Sequence, residues 1–237
     1  YVYRTAITNK IFFSRHNPEK SFLASELGVG MSRADIAIFN GSSTCYEIKS
    51  DFDNWDRVKS QINDFRGAFA NLYVVVGESK KRWALENLNE DIGVITLRNN
   101  LALSTLRPAR ERVELLSHDA MFSVLRKSEY LEILQKYYGL VPHVPNGLIY
   151  TESLKWFRRI PLTHAHRLYV FSIQRRGTYG RNADLIRSVA DEIRPLCLNF
   201  QGTRADVAAL KESIKEPLED NVLFPGSTHK ARRANSS

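Results

Sequence analysis

Cysteine is scarce in this chain: Cys45 and Cys197 are the only two among 237 residues. That is too few for a disulfide framework, or for a zinc site by themselves. No apolar run approaches the roughly 20 residues a membrane-spanning helix needs, so no membrane partner is expected. No Gly-x-Ser-x-Gly turn and no phosphate-cradling glycine loop occurs, and no internal repeat is found. The sequence opens on Tyr1 rather than Met, which reads as a start trimmed or missing, and no secretory signal peptide is read in the residues given. These absences together point to a cytoplasmic, reducing setting.

What is present is an ordinary globular composition, 43% hydrophobic and 25% charged, able to bury a real core. The formal charge of +8 is unevenly placed. Residues 1–104 carry 13 Lys+Arg against 12 Asp+Glu, whereas residues 105–237 carry 21 against 14. A basic half favours a polyanionic partner, nucleic acid above all, although a soluble surface with excess charge has the same composition.

The first half alternates strand and helix patterns. Strands are expected at 22–29, 34–39 and 44–49, with turns at Gly30-Met31-Ser32 and Asn40-Gly41-Ser42-Ser43. A helix is expected over about 54–70, because Trp55, Val58, Ile62, Phe65 and Phe69 recur every three or four residues. Strand 72–76, a short helix at 80–88 and strand 93–97 follow, and the unit from 44 to 76 reads as a right-handed crossover between parallel strands. The expected fold is therefore α/β with a mixed sheet, occupying residues 1–104. A mainly helical region, 105–225, has helices near 109–125, 128–138, 150–158, 182–193 and 203–215, with a hinge over 98–108 and a disordered tail at 226–237.

The chemistry-bearing group is Asp35, Glu47 and Lys49. Side chains on a strand alternate faces, so Glu47 and Lys49 point the same way, with Tyr46 and Ile48 opposite. Two carboxylates on one face repel each other and are held together by a divalent cation. The bare Glu-x-Lys pattern occurs twice. Glu78/Lys80 falls after Gly77, past a strand end, and fails on context; Glu47/Lys49 has a strand, an aspartate on the preceding strand and a helix downstream. The register supplies a test. A two-residue turn at Asn40-Gly41 would pair Asp35 with Tyr46, whereas a three-residue loop, 40–42, pairs it with Glu47. A solvated same-face pair is the bland alternative for Glu47 and Lys49.

The segment SRADIAIFNGSSTCYEIKSDFDNWDRVKSQINDF resembles the core of the PD-(D/E)XK nuclease superfamily, the restriction-endonuclease-like fold. It is most similar to a largely uncharacterised group of bacterial and phage proteins with the same Arg-Ala-Asp and Glu-Ile-Lys-Ser-Asp layout. The resemblance covers about residues 20–98, with Ala34 standing where proline often precedes the aspartate. It implies that Asp35, Glu47 and the Ile48 backbone carbonyl hold Mg²⁺ or Mn²⁺, and that Lys49 positions or activates water and stabilises developing charge. Gln61 matches a helix glutamine of many members, with Phe65 in place of a tyrosine. Glu26 resembles an upstream acidic residue that completes the metal site, though here it falls on a strand pattern.

Other features are weaker. Asp51 and Asp53 are expected to cap the following helix or to hold a second cation. His164 and His166 lack acidic or cysteine neighbours in sequence and read as structural. Cys45 shares its spacing with Glu47 and can line the site edge. Arg175, Arg176 and Arg181 form a basic loop that could contact a nucleic-acid backbone or be a plain exposed turn. The expected function is a metal-dependent nuclease acting on nucleic acid, DNA in the first place. The alternative is a catalytically silent DNA-binding or protein-interaction module on the same fold, with a homodimer or partner protein docking through the C-terminal half.

Overall fold

A computed structural model describes residues 1–215 apart from 51, 52, 54, 56, 57, 178, 199 and 201. The expected tail at 226–237 and Asp51 lie outside the described residues. The chain divides into two compact units, 1–201 and 202–237. Within the second, the described helix Arg204–Lys215 begins at a reciprocal cap. The Asp206 carboxylate accepts from the Thr203 amide and hydroxyl, at 2.6 and 2.7 Å, while the Asp206 amide donates back to the Thr203 hydroxyl at 3.2 Å.

The first unit is built on a mixed six-stranded sheet in the order of the chain. Its strands are β1 Phe22–Val29, β2 Ser32–Phe39, β3 Ser43–Lys49, β4 Asn71–Gly77, β5 Gly93–Leu97 and β6 Leu103–Arg107. The β3–β4 and β4–β5 pairs are parallel and the rest antiparallel. The crossover from β3 to β4 carries α3, Val58–Arg66, which buries the expected stripe of Val58, Ile62 and Phe65, and the crossover from β4 to β5 carries α4, Lys81–Asn87. The mixed α/β class thus follows from the alternation in the sequence.

The hinge expected over 98–108 is instead the turn and second strand of the β5–β6 hairpin. Its left-handed residue is Leu101, φ +61°, not a glycine or asparagine. Two helical stretches were also not anticipated. One is N-terminal: α1 Val2–Ile7, a π turn at Thr8–Phe12 and α2 Phe13–Arg15. The other is α8, Leu162–Gln174, which buries Ala165, His166, Tyr169, Val170 and Ile173. With α5 His118–Val124, α6 Lys127–Tyr138 and α7 Ile149–Phe157, α8 closes one face of the sheet. Phe39 projects from β2 into this layer, its ring 6.0 Å from Phe69 and 5.7 Å from Tyr169. Ile36, Ile38, Val75 and Ile95 are buried on the opposite face, so both faces are covered, as parallel pairing favours. No helix among the described residues is long and apolar enough to cross a membrane.

One irregularity sets the site. On β2, Ala34 and Ala37 both enter the main core, and on β1, Ala24 and Val29 do the same. Regular strands cannot place residues three or five apart on one face. Both strands change face between them, where Glu26 adopts φ +55°. The pairing continues through this point, from Ser25↔Ile36 to Leu27↔Ala34, which leaves Glu26 opposite Asp35. A left-handed conformation costs a glutamate about 1–2 kcal/mol, and such strain tends to mark functional sites.

Candidate active site

The Asn40–Ser42 loop has the three residues that the sequence argument requires. Gly41 takes φ +69° and the Asn40 amide donates to the Ser42 carbonyl at 3.0 Å. The ladder then runs Phe39↔Ser43 to Ile36↔Tyr46, whose next step sets Asp35 against Glu47. The Asp35 carboxylate closes that end by accepting the Ile48 amide at 2.9 Å. Asp35, Glu47, Ile48, Lys49 and Gln61 line one cavity of about 420 Å³, with Arg4 and Arg33 on its wall.

Glu47 and Lys49 are buried, at 3% and 8% exposure, so the solvated-pair reading does not describe them. The Lys49 ammonium lies 3.1 Å from one Glu47 oxygen and donates to the Gln61 side-chain oxygen at 2.7 Å. The other Glu47 oxygen, Oε2, is buried without a hydrogen-bond partner. Burial, and then the negative charge of Asp35, push the Glu47 carboxyl up to about 7, with Lys49 and Gln61 pulling more weakly the other way. A buried carboxylate oxygen with no donor is costly in water-free surroundings. Two carboxylates in one cleft, one with an orphaned oxygen, are a donor set that fits a hard divalent cation. Among the described residues, no three His, Cys, Asp or Glu side chains gather as a metal-binding group.

Glu26 is therefore placed differently from the sequence expectation. Its two oxygens are taken by guanidinium groups, Arg4 at 2.7 Å and Arg33 at 3.3 Å. The bond from Arg4, ahead of all else, holds the Glu26 carboxyl below the usual glutamate range. Arg4 also reaches Asp35 at 3.0 Å, bridging the two acids. The N-terminal helical stretch that carries Arg4 does have an apolar stripe, with Ala6, Ile7, Ile11 and Phe12 buried, but that spacing says nothing of where an arginine on the other side finds its partners. Arg33 was within the recognised motif, but nothing in its spacing marked a role. Asp53 lines the cavity and accepts from the Ser50 amide and hydroxyl at 2.6 and 2.7 Å; residues 54, 56 and 57, where a helix capped by it would begin, lie outside the described residues.

The remaining candidates are structural. His166 meets Ser43 at 2.9 Å in the core, where burial lowers its basicity. His164 packs edge-on to Tyr137. Cys45 is buried beneath the site and its thiol is pushed well up, by burial first. The basic loop does not present three free arginines. Arg176 is half-buried, its side chain 9% exposed, with two 2.6 Å bonds to Glu129 and a 2.9 Å bond to the Val124 carbonyl. Arg175 is exposed but paired with Glu132, and the Arg181 side chain lies outside the described residues.

Comparison with known proteins places the chain in a family. Residues 1–199 match the family described as Bacteriophage P4 protein cII, and the chain belongs to it. Protein cII of Enterobacteria phage P4 is 31% identical over 104 residues, which cover 44% of this chain and 37% of that protein. The matched stretch thus spans just over a third of that relative's length. A solved structure, "SPO1766 protein of unknown function from Silicibacter pomeroyi", superposes with a TM-score of 0.35 at 14% identity, over 50% of this chain and 80% of that one.

Proposed function

We propose that this member of the phage P4 protein cII family is a nuclease of the PD-(D/E)XK type that hydrolyses phosphodiester bonds, in DNA, with Mg²⁺ or Mn²⁺. The observation that carries the reading is the Glu47 carboxylate, buried beside Asp35 and Lys49 with one oxygen left without a donor. Asp35 and Glu47 would hold the cation, with the Ile48 carbonyl as a further donor. When bound, the cation would supply Lewis-acid activation and neutralise phosphate charge. Lys49 is held by Glu47 and Gln61. A fixed ammonium at the cavity wall is placed to orient a water and to stabilise negative charge growing on a phosphate oxygen. Gln61 fixes the lysine's direction through its side-chain oxygen.

The test is incubation with plasmid, linear and single-stranded DNA in Mg²⁺, Mn²⁺ or EDTA, beside Lys49→Ala. Metal-dependent cleavage lost in the variant supports the reading, and salt-sensitive binding without cleavage overturns it in favour of a silent DNA-binding module. One observation favours that second reading: both Asp35 oxygens already have donors, Ile48 and Arg4. A protein-interaction module, docking a partner or a second copy, is the outcome if neither cleavage nor binding is seen.

A further inference from the structure

Arg4 and Arg33 come from separate elements, a helix and a strand, yet converge on one carboxylate. Glu26 receives them on different oxygens, Arg4 on Oε1 and Arg33 on Oε2. Its left-handed backbone, φ +55°, sits where β1 and β2 change face. Both guanidiniums line the cavity that contains Asp35, Glu47 and Lys49. The Arg33 side chain keeps 69% exposure and the Arg4 side chain 34%; with two bonds from Arg4 and one from Arg33 among the described residues, both keep further donors of the five on a guanidinium. A planar guanidinium held in place from behind presents its remaining donors in the fork that suits phosphate oxygens.

We infer that Arg4 and Arg33, anchored by Glu26, form a phosphate-binding clamp for the DNA backbone beside the candidate active site. Glu26 is then the anchor of the clamp and not a cation ligand. The clamp rests on the nuclease reading for its ligand class, but not on catalysis. It also replaces the Arg175–Arg181 loop as the place where the backbone is held. The ion pairs within the fork keep the two arginines ordered before substrate arrives, so less side-chain entropy is lost on binding.

The experiment is binding of a fluorescein-labelled DNA oligonucleotide, followed by anisotropy in EDTA across a salt series. Arg33→Ala and Arg4→Gln should each weaken binding about tenfold and lower the slope of log affinity against log salt by about one. Arg175→Ala should leave both unchanged. Slopes and affinities of the Arg4 and Arg33 variants equal to wild type overturn the clamp, as does absence of binding by the wild type. Arg33 is exposed, so its variant tests the clamp even if the Arg4 variant folds poorly. Cleavage by the wild type with intact binding in both variants removes the clamp and leaves the nuclease reading. Arginine-dependent binding without Lys49-dependent cleavage does the reverse.

Discussion

The β1–β3 end of the sheet and the helical layer over its face obey opposite rules. In the helical layer the buried charge is satisfied: Arg176 and Glu129 share two 2.6 Å bonds, and the Glu129 carboxylate also accepts the Arg126 amide at 2.7 Å. Aromatic rings fill the space around Phe122, with Tyr130 at 4.7 Å and Phe157 at 5.4 Å. At the β1–β3 end, a glutamate is left-handed, a buried carboxylate oxygen lacks a donor, and three acids, Asp35, Glu47 and Asp53, share one cavity. The helical layer also has unmet groups, but these are the Ser153 and Tyr169 hydroxyls; a carboxylate oxygen without a donor, close to a left-handed glutamate, fits a place where stability is exchanged for chemistry.

Substitutions on the two sides should therefore act in opposite senses. The largest effect expected is on cleavage: Lys49→Ala should lower the rate about 10²–10³-fold, read by plasmid nicking on variant protein whose melting curve shows it folded. In the helical layer, Phe122→Ala should cost about 3–5 kcal/mol by denaturant titration, since its side chain is fully buried among rings. Arg176→Ala should cost about 3 kcal/mol by stranding the Glu129 carboxylate, and comparable stability of variant and wild type would erase the contrast drawn here.

Glu47→Gln should go the other way. Because the folded carboxyl is raised to about 7, the native protein binds more protons than the unfolded chain between the ordinary glutamate value and about 7. Stability is thus lost as pH rises through that window and stays lost above it. In EDTA the glutamine variant should gain on the order of 2–3 kcal/mol over wild type at pH 8 and little at pH 4, while losing cleavage. Equal gains at both pH values would show that desolvation of this carboxylate is not what distinguishes the site. The smallest effect is at Arg175→Ala, expected within about 0.5 kcal/mol, since its ion pair is exposed.

Much of the sheet was legible because strands advertise themselves by local alternation. Strands 22–29 and 93–97 fall where the pattern puts them, and the Val58/Ile62/Phe65 stripe is buried as its period demands. The β5–β6 turn carried a signal in Asn99-Asn100, but the residue that takes the left-handed conformation is a leucine, Leu101. Helix α8 carried a usable signal, with Ala165, Tyr169 and Ile173 spaced by four and all buried. The basic loop misled for another reason: charge in sequence does not say whether a partner waits inside the fold, and Arg176 finds Glu129 47 positions away.

The sequence alone determined that Glu47 and Lys49 share a face, because strand geometry has period two. It also reduced the place of Asp35 to one question, the length of the loop after β2, which the structure answers with three residues. Tertiary structure alone decided that Gln61 would receive the lysine, that Glu26 would bind arginines, and that Arg4 would bridge Glu26 and Asp35. Alternation and loop length act over neighbouring residues and leave a trace in spacing. The Arg4 contacts join residues 22 and 31 positions apart on different elements, and no local period records how a helix is laid against a sheet edge.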